Sequence, residues 1–154
     1  MGMENSPSTH IELDKFWAYQ VVVLADQVSR YTLEVVRTEA DLNQSQWRVL
    51  AAVADKPGRS SADVTSVTPM DKTIVSRAVT SLIKNGLIKR TPSQEDKRIG
   101  TLHMTKLGAQ RYDLISAKLA ETLNAQVLNG ASAAEFTEAV KHFSAYMTEL
   151  SPKA

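Results

Sequence analysis

The residues with the most distinctive chemistry lie in one stretch, SQEDKRIGTLHMTKLG at positions 93–108. Two acids at positions 95 and 96 are followed directly by Lys97 and Arg98. A carboxylate can hold a nearby guanidinium in one orientation, and guanidinium groups bind phosphates and base edges. The stretch is therefore a candidate for binding a polyanion.

Other kinds of site find little support in the sequence. The chain has no cysteine, which excludes disulfides, thiolate metal sites and cysteine redox chemistry. Its three histidines, His10, His103 and His142, are far apart and lack metal-ligand spacing. No GxSxG motif or phosphate-binding glycine loop is present among the six glycines. We therefore expect neither an enzyme nor a bound metal ion or cofactor.

Positive charge is concentrated in one part of the chain. Residues 71–111 carry nine Lys and Arg against three acids, a net charge of +6, whereas the remainder carries −5. This asymmetry suggests that one region faces a polyanion while the rest has another role. The alternative is a solvated basic face without a partner.

The composition is that of an ordinary globular chain, with 43% hydrophobic and 23% charged residues among 154. No apolar run approaches the roughly 18 residues needed to span a bilayer. The polar start, MGMENSPST, lacks the basic-then-apolar pattern of a signal peptide. We expect a cytoplasmic protein without a membrane partner.

Two short helices are predicted ahead of the charged stretch. The segment 60–67 reads as a helix with Ser60 or Ser61 as its cap and with Val64 and Val67 pointing inward. After a TPM turn, a second helix runs from its cap at Asp71 to Asn85, where Gly86 ends it. The predicted dry side of this second helix holds Ile74, Val75, Ala78, Val79, Leu82 and Ile83.

A hairpin follows, formed by LIKRT at 87–91 and TLHMT at 101–105. Helix, turn, basic helix and hairpin is the order of a winged helix-turn-helix, which we place at 42–105 in a mainly α chain with a two- or three-stranded β wing. A helix of this size fits the major groove of B-DNA, so we expect double-stranded DNA as a partner. The candidate DNA-binding residues are Lys72, Thr73, Ser76, Arg77, Thr80, Lys84, Asp96, Lys97 and Arg98.

For the wing tip we make a more specific prediction. A wing beside a groove-bound helix lies over the neighbouring minor groove, whose negative potential attracts arginine. We expect Arg98 to insert there and Asp96 to orient it. The alternative is a surface ion pair worth less than about 1 kcal/mol.

The long segments on either side predict a helical dimerisation region, 11–38 and 106–150. The first carries apolar residues at helical spacing from Leu13 to Val35. Thr105 caps a helix over 106–128, and a Ser132–Glu135 capping box opens the last helix. That last helix has an apolar seam of the kind that pairs helices, and both seams exceed what one chain needs for its own core.

Four quoted segments carry a family resemblance: LNQSQWRVL, MDKTIVSRAVTSLIKNGLIKR, EDKR and HMTKLG. In this order they resemble the MarR (multiple-antibiotic-resistance regulator) family of bacterial transcription factors, over about residues 42–108. The D-x-R signature falls on Asp96 and Arg98. The L-T-x-x-G signature falls on Met104, Thr105 and Gly108, with Met in place of Leu. The turn before the second helix reads TPM, where a glycine-containing turn is commoner.

The resemblance implies a ligand-responsive transcriptional regulator, expected to be a repressor, that binds a pseudo-palindromic operator as a homodimer. A small aromatic or phenolic effector would release it by entering a cleft between the dimerisation and winged regions. The lining candidates on this chain are Trp17, Tyr31, Trp47, Arg48, His103 and Tyr112. Ordinary packing is the alternative for these aromatic residues, and a surface position on the wing is the alternative for His103. For the whole chain, the alternative is a winged-helix protein–protein interaction module that binds no DNA.

Overall fold

Helices dominate the computed structural model of the chain, which describes residues 11–94, 98–123 and 132–150. The elements in these ranges are α1 (Trp17–Ala40), α2 (Gln44–Asp55), α3 (Ser61–Val67), α4 (Lys72–Lys84), β1 (Ile88–Pro92), β2 (Gly100–Met104), α5 (Lys106–Leu123) and α6 (Ala133–Leu150). The prediction of a mainly α chain with a small β wing is confirmed.

The helices of the winged unit, α2 to α4, begin where the sequence supplies caps. The side chain of Asn43 accepts the Gln46 N–H at 2.9 Å, and the Gln46 side chain accepts the Asn43 N–H at 2.8 Å. Ser60, rather than Ser61, caps α3 through the same reciprocal pair with Asp63. These bonds satisfy backbone donors that helix ends otherwise leave without partners.

The core lies where α2, α4 and the hairpin meet. Its largest fully buried side chains include Leu50 on α2, Leu82 on α4, Ile88 on β1 and Leu102 on β2. From the long helices, Val36 of α1 and Ile115 of α5 complete the cluster. Burial of these aliphatic groups is the main force that holds α4 against the rest of the unit.

The wing is an antiparallel hairpin in which Arg90 pairs with Leu102. A short third segment runs along β2. The Gly58 N–H donates to the Leu102 carbonyl at 2.9 Å, and the Leu102 N–H donates to the Arg59 carbonyl at 2.8 Å. A lone hairpin is marginal in water, and these bonds tie it to the start of α3.

The start of α5 is held against the turn between α4 and β1. The Thr105 hydroxyl accepts the Gly108 N–H at 3.0 Å, which confirms Thr105 as the cap, and donates to the Gly86 carbonyl at 2.6 Å. Gly86 itself has a φ of +71°, a left-handed conformation that glycine adopts without strain. The Thr-x-x-Gly motif is therefore the joint between the wing and the long helix.

Apolar side chains cover much of the outer surface of α1 and α6. No residue of α6 is buried within the chain. The exposed apolar residues of α6 are Phe136, Val140, Phe143, Tyr146, Met147 and Leu150. On α1 the exposed apolar residues include Trp17, Val21, Val22, Leu24 and Val28.

Several sequence expectations need correction. The first helix begins at Trp17, not at residue 11. Of the predicted helix 106–128, residues 124–128 lie outside the described ranges.

The prediction that Val67, Ile74 and Ile83 point inward is wrong. Their side chains are 54%, 42% and 38% exposed. The buried arc of α4 is narrow, and with 100° between successive residues Ile74 and Ile83 fall on its two margins.

Candidate nucleic-acid interface

One face of α4 is polar, basic and open to solvent. All six predicted contact residues on this helix are exposed: Lys72, Thr73, Ser76, Arg77, Thr80 and Lys84. The segment 72–84 contains no carboxylate. This face is therefore suited to a surface that carries closely spaced negative charge.

The opposite face fixes α4 in place. Val75, Ala78, Val79 and Leu82 are buried against the core. The Gln46 side-chain amide also donates to the Ser81 hydroxyl at 2.8 Å. The bond that caps α2 and the bond that anchors α4 thus share one buried amide, so the orientation of α4 depends on both apolar packing and a specific polar contact.

The hydroxyl groups on the α4 face are not equivalent. The Thr80 hydroxyl donates to the Ser76 carbonyl of its own helix at 2.9 Å. Its hydrogen is therefore occupied, and Thr80 could offer a ligand only the lone pairs of its oxygen. Phosphate oxygens need donors, so Lys72, Arg77 and Lys84 are the groups on α4 best suited to bind them.

The wing carries a further exposed base. The Ser93 N–H donates to the Ile99 carbonyl at 2.8 Å and closes the end of the hairpin. Arg98 lies next to that closure and is exposed. Asp96 and Lys97 lie outside the described residues, so the orienting role of Asp96 stays a prediction.

Arg90 is a basic residue that the sequence reasoning missed. Its side chain crosses Gly100 on β2, where an added Cβ would lie 2.6 Å from the Arg90 Cδ. Its guanidinium donates to the Ser61 hydroxyl at 3.3 Å. The signal was available, since Arg90 adjoins the charged tip. To locate Arg90 between the wing and the start of α3, however, the register of the two strands must be known.

Comparison with known proteins shows a likeness to one family. The MarR family model matches residues 40–99, which span α2, α3, α4 and β1. This part of the chain is therefore similar to the MarR family. A relative named uncharacterized HTH-type transcriptional regulator YybA, from Bacillus subtilis (strain 168), is 27% identical over 77 residues. The chain spans about half of that curated relative, since the match covers 51% of YybA and 50% of this chain.

Solved structures of MarR-family proteins share the fold. The MarR/EmrR family transcriptional regulator from Acinetobacter sp. ADP1 has a TM-score of 0.74 at 21% identity, covering 91% of this chain and 98% of that one. A mutant MarR from E. coli complexed with operator DNA has a TM-score of 0.65 at 18% identity, covering 88% and 93%. At these identities the likeness is evidence of fold.

Three of the six effector candidates come together. Trp47 of α2 and Tyr112 of α5 stack with ring centroids 5.6 Å apart and an interplanar angle of 20°. Trp47 and Arg48 line a groove of about 300 Å³ whose far side is the turn at Val67–Pro69. An aromatic wall beside a guanidinium suits a small aromatic anion.

The other three candidates lie elsewhere in the chain. Trp17 packs on Phe143 of α6 at a centroid distance of 5.2 Å. The Tyr31 hydroxyl donates to the Thr122 hydroxyl at 2.5 Å. His103 lies on the wing, with its Nε2 3.1 Å from the Thr101 hydroxyl. Within one chain, the six candidates therefore do not form a single site.

The groove contains a second arginine whose charge is already used. Arg59 donates to the Ala52 carbonyl at 2.5 Å and pairs with Asp55 at 2.8 Å, and its side chain is 14% exposed. Arg48, which is half-buried at the same groove, is the better candidate to meet a carboxylate.

The pKa values of Asp63, Glu135 and Lys118 are shifted from their ordinary values, and all of these residues lie outside α4. The Ser60 backbone N–H, and then its hydroxyl, lower the pKa of Asp63. Ser132 lowers the pKa of Glu135 in the same way, and the hydrogen bond to Glu121 raises the pKa of Lys118.

No helix in the described part of the chain is long and apolar enough to cross a membrane.

Proposed function

We propose that this chain is a transcriptional regulator of the MarR family that binds a pseudo-palindromic operator in duplex DNA as a homodimer. We further propose that it acts as a repressor and that a small aromatic or phenolic anion releases it. The observation that carries the proposal is the exposed face of α4, which has three bases and no carboxylate. MarR of E. coli, which shares the fold, has been solved with operator DNA, and this supports the assignment.

The dimensions of α4 support groove binding. Its 13 residues give a length of about 20 Å at 1.5 Å per residue, and a helix with its side chains is about 10–12 Å across. The major groove of B-DNA is about 12 Å wide. Arg77 can take a guanine edge with two parallel hydrogen bonds, while Lys72 and Lys84 suit phosphates.

The apolar surfaces of α1 and α6 support a homodimer. No residue of α6 is buried within the chain, yet most of the stability of a helix in a protein comes from packing of its apolar face. A second copy would cover these surfaces, and a two-fold axis would repeat the α4 face on the other half of the operator. The two faces would then lie about 34 Å apart, one turn of DNA.

The groove beside Trp47 supports effector control. It lies between α2 and the α3–α4 turn, and Trp47 also stacks on Tyr112 of α5. A planar anion held by Trp47 and Arg48 would therefore touch the contact that joins the winged unit to the long helix. The ligand shifts DNA occupancy only to the extent that it prefers the spacing that does not fit the operator.

The salt dependence of binding tests the proposal. After selection of bound sites from random duplex DNA, we expect the logarithm of the association constant to fall with the logarithm of salt concentration, with a slope near −7 to −9 for about 8–10 neutralised phosphates. Arg77→Ala should weaken binding at least about tenfold and reduce the slope by about 2, because a dimer loses two charges.

Arg30→Ala is the matched control, since it removes an equally charged, exposed side chain from α1, outside the winged unit. It should leave the slope unchanged. A flat slope for the wild-type protein would contradict DNA binding and would favour a winged-helix protein–protein interaction module.

A further inference from the structure

Ile74 is an exposed apolar side chain among the polar exposed residues of the first turn of α4. It belongs to the first turn of the helix and is 42% exposed. Its backbone N–H donates to the Asp71 carboxylate at 2.8 Å, so its position is fixed by the cap. The side chain does not join the buried core cluster, and Ile74 directly follows the exposed Lys72 and Thr73 in the sequence.

We infer that Ile74 is a specificity-determining residue that packs on the C5-methyl group of a thymine in the major groove. The inference rests on the proposed function and adds to it a base preference. Residues in the first turn of a recognition helix are the ones that contact base edges. Among the groups that base pairs present there, the thymine methyl is the apolar one.

The stiffness of isoleucine favours this role. In a helix a β-branched side chain occupies essentially one χ1 rotamer, so it loses little conformational freedom when it packs on a base. The single exposed methyl of thymine matches such a small rigid surface. A 5-methylcytosine presents the same methyl group at the same place, so it should substitute for thymine in this contact.

The helical spacing also predicts which thymine of the operator Ile74 contacts. Arg77 follows Ile74 by three residues, so their Cβ atoms lie about 5–6 Å apart on the same face. Base pairs are stacked about 3.4 Å apart. The thymine should therefore lie within about two base pairs of the guanine that Arg77 contacts, in each half-site.

Replacement of thymine by deoxyuridine, which lacks only the methyl group, tests the contact. Each thymine of the selected operator is replaced in turn, symmetrically in both half-sites, and the affinity is measured by fluorescence anisotropy. For the wild-type protein we expect one position at which deoxyuridine weakens binding about fourfold per half-site, or about 15-fold in the symmetric duplex, as loss of one methyl contact implies. Ile74→Ala should bind the thymine and deoxyuridine duplexes with equal affinity at that position.

Ile83→Ala is the matched control. Ile83 is the same residue type on the same helix, 38% exposed, but in its last turn. It should keep the full response to deoxyuridine. Both variants should keep the wild-type salt slope, because neither removes a charge.

Two results would overturn the inference while leaving DNA binding intact. One is a wild-type protein indifferent to deoxyuridine at every thymine. The other is Ile74→Ala with the wild-type response, which would make Ile74 an ordinary exposed side chain. A wild-type protein that binds no duplex DNA at low salt would instead refute the proposed function, and the thymine contact with it.

Discussion

Replacing Gly108 with alanine tests whether the close contact between α5 and the α4–β1 turn sets the stability of the chain. A Cβ at this position would lie 1.9 Å from the carbonyl oxygen of Leu87 and 2.9 Å from its carbonyl carbon. Both are backbone atoms, so no side-chain rotation relieves the overlap. The same oxygen accepts the Thr105 N–H at 3.0 Å, which holds it in place.

Two opposing effects determine the sign of the change. Helix propensity favours alanine over glycine by about 1 kcal/mol inside a helix. Steric relief requires the Cβ–oxygen distance to grow from 1.9 Å to the 3.4 Å of an ordinary contact. That movement disrupts the Thr105 bonds, worth about 1 kcal/mol each, and strains the packing by about 1–3 kcal/mol. We expect Gly108→Ala to lower the free energy of unfolding by about 2–4 kcal/mol, a large share of the usual 5–15 kcal/mol.

Urea unfolding followed by circular dichroism measures this difference, at one protein concentration because the stability of the proposed dimer would depend on concentration. Ala117→Gly, at an exposed position of the same helix, calibrates the intrinsic preference and should cost about 1 kcal/mol. If Gly108→Ala were as stable as the wild type or more so, propensity would dominate and the steric reasoning would be refuted.

Three further changes have defined outcomes. Because the folded pKa of Asp63 is lowered by the Ser60 N–H, its stabilising effect is present above the unfolded value of 3.8 and is lost as pH falls through the lower folded pKa; urea midpoints between pH 6 and 2.5 should therefore show a smaller acid loss for Asp63→Asn, and an equal loss would contradict this. Phe143→Asp places a charge in the apolar seam of α6 and should give a monomer in sedimentation equilibrium, whereas an intact dimer would argue against that seam. Salicylate should quench the fluorescence of Trp17→Phe but not of Trp47→Phe, and the reverse would exclude the groove beside α2.

The winged unit was predictable because its determinants are local. The capping bonds of Asn43 and Asp71 reach only three residues along the chain, and Gly86 ends α4 through its own φ angle. Such local capping signals can be recognised in the amino-acid sequence without a structure. The hairpin followed for the same reason, since its two strands are close in sequence.

Local signals did not predict how wide the buried arc of α4 is, nor which side chains distant in sequence come into contact. Periodicity marks the centre of the apolar stripe on α4 but not its edges, so Ile74 and Ile83 were assigned to the core. The stacking of Trp47 on Tyr112 joins positions on two helices separated by the whole wing. No local rule distinguishes that pair from Trp17, which packs on α6 instead.

Two contacts made by α5 lie close together: its approach to the α4–β1 turn and its aromatic stack on α2. At Gly108 the helix touches backbone atoms of the α4–β1 turn, and four residues later Tyr112 stacks on α2. Four residues of helix span about 6 Å, so the aromatic contact lies close to the rigid joint. In the proposed effector response, a ligand that separates Trp47 from Tyr112 would therefore act about one helical turn from the contact that holds α5 against the α4–β1 turn.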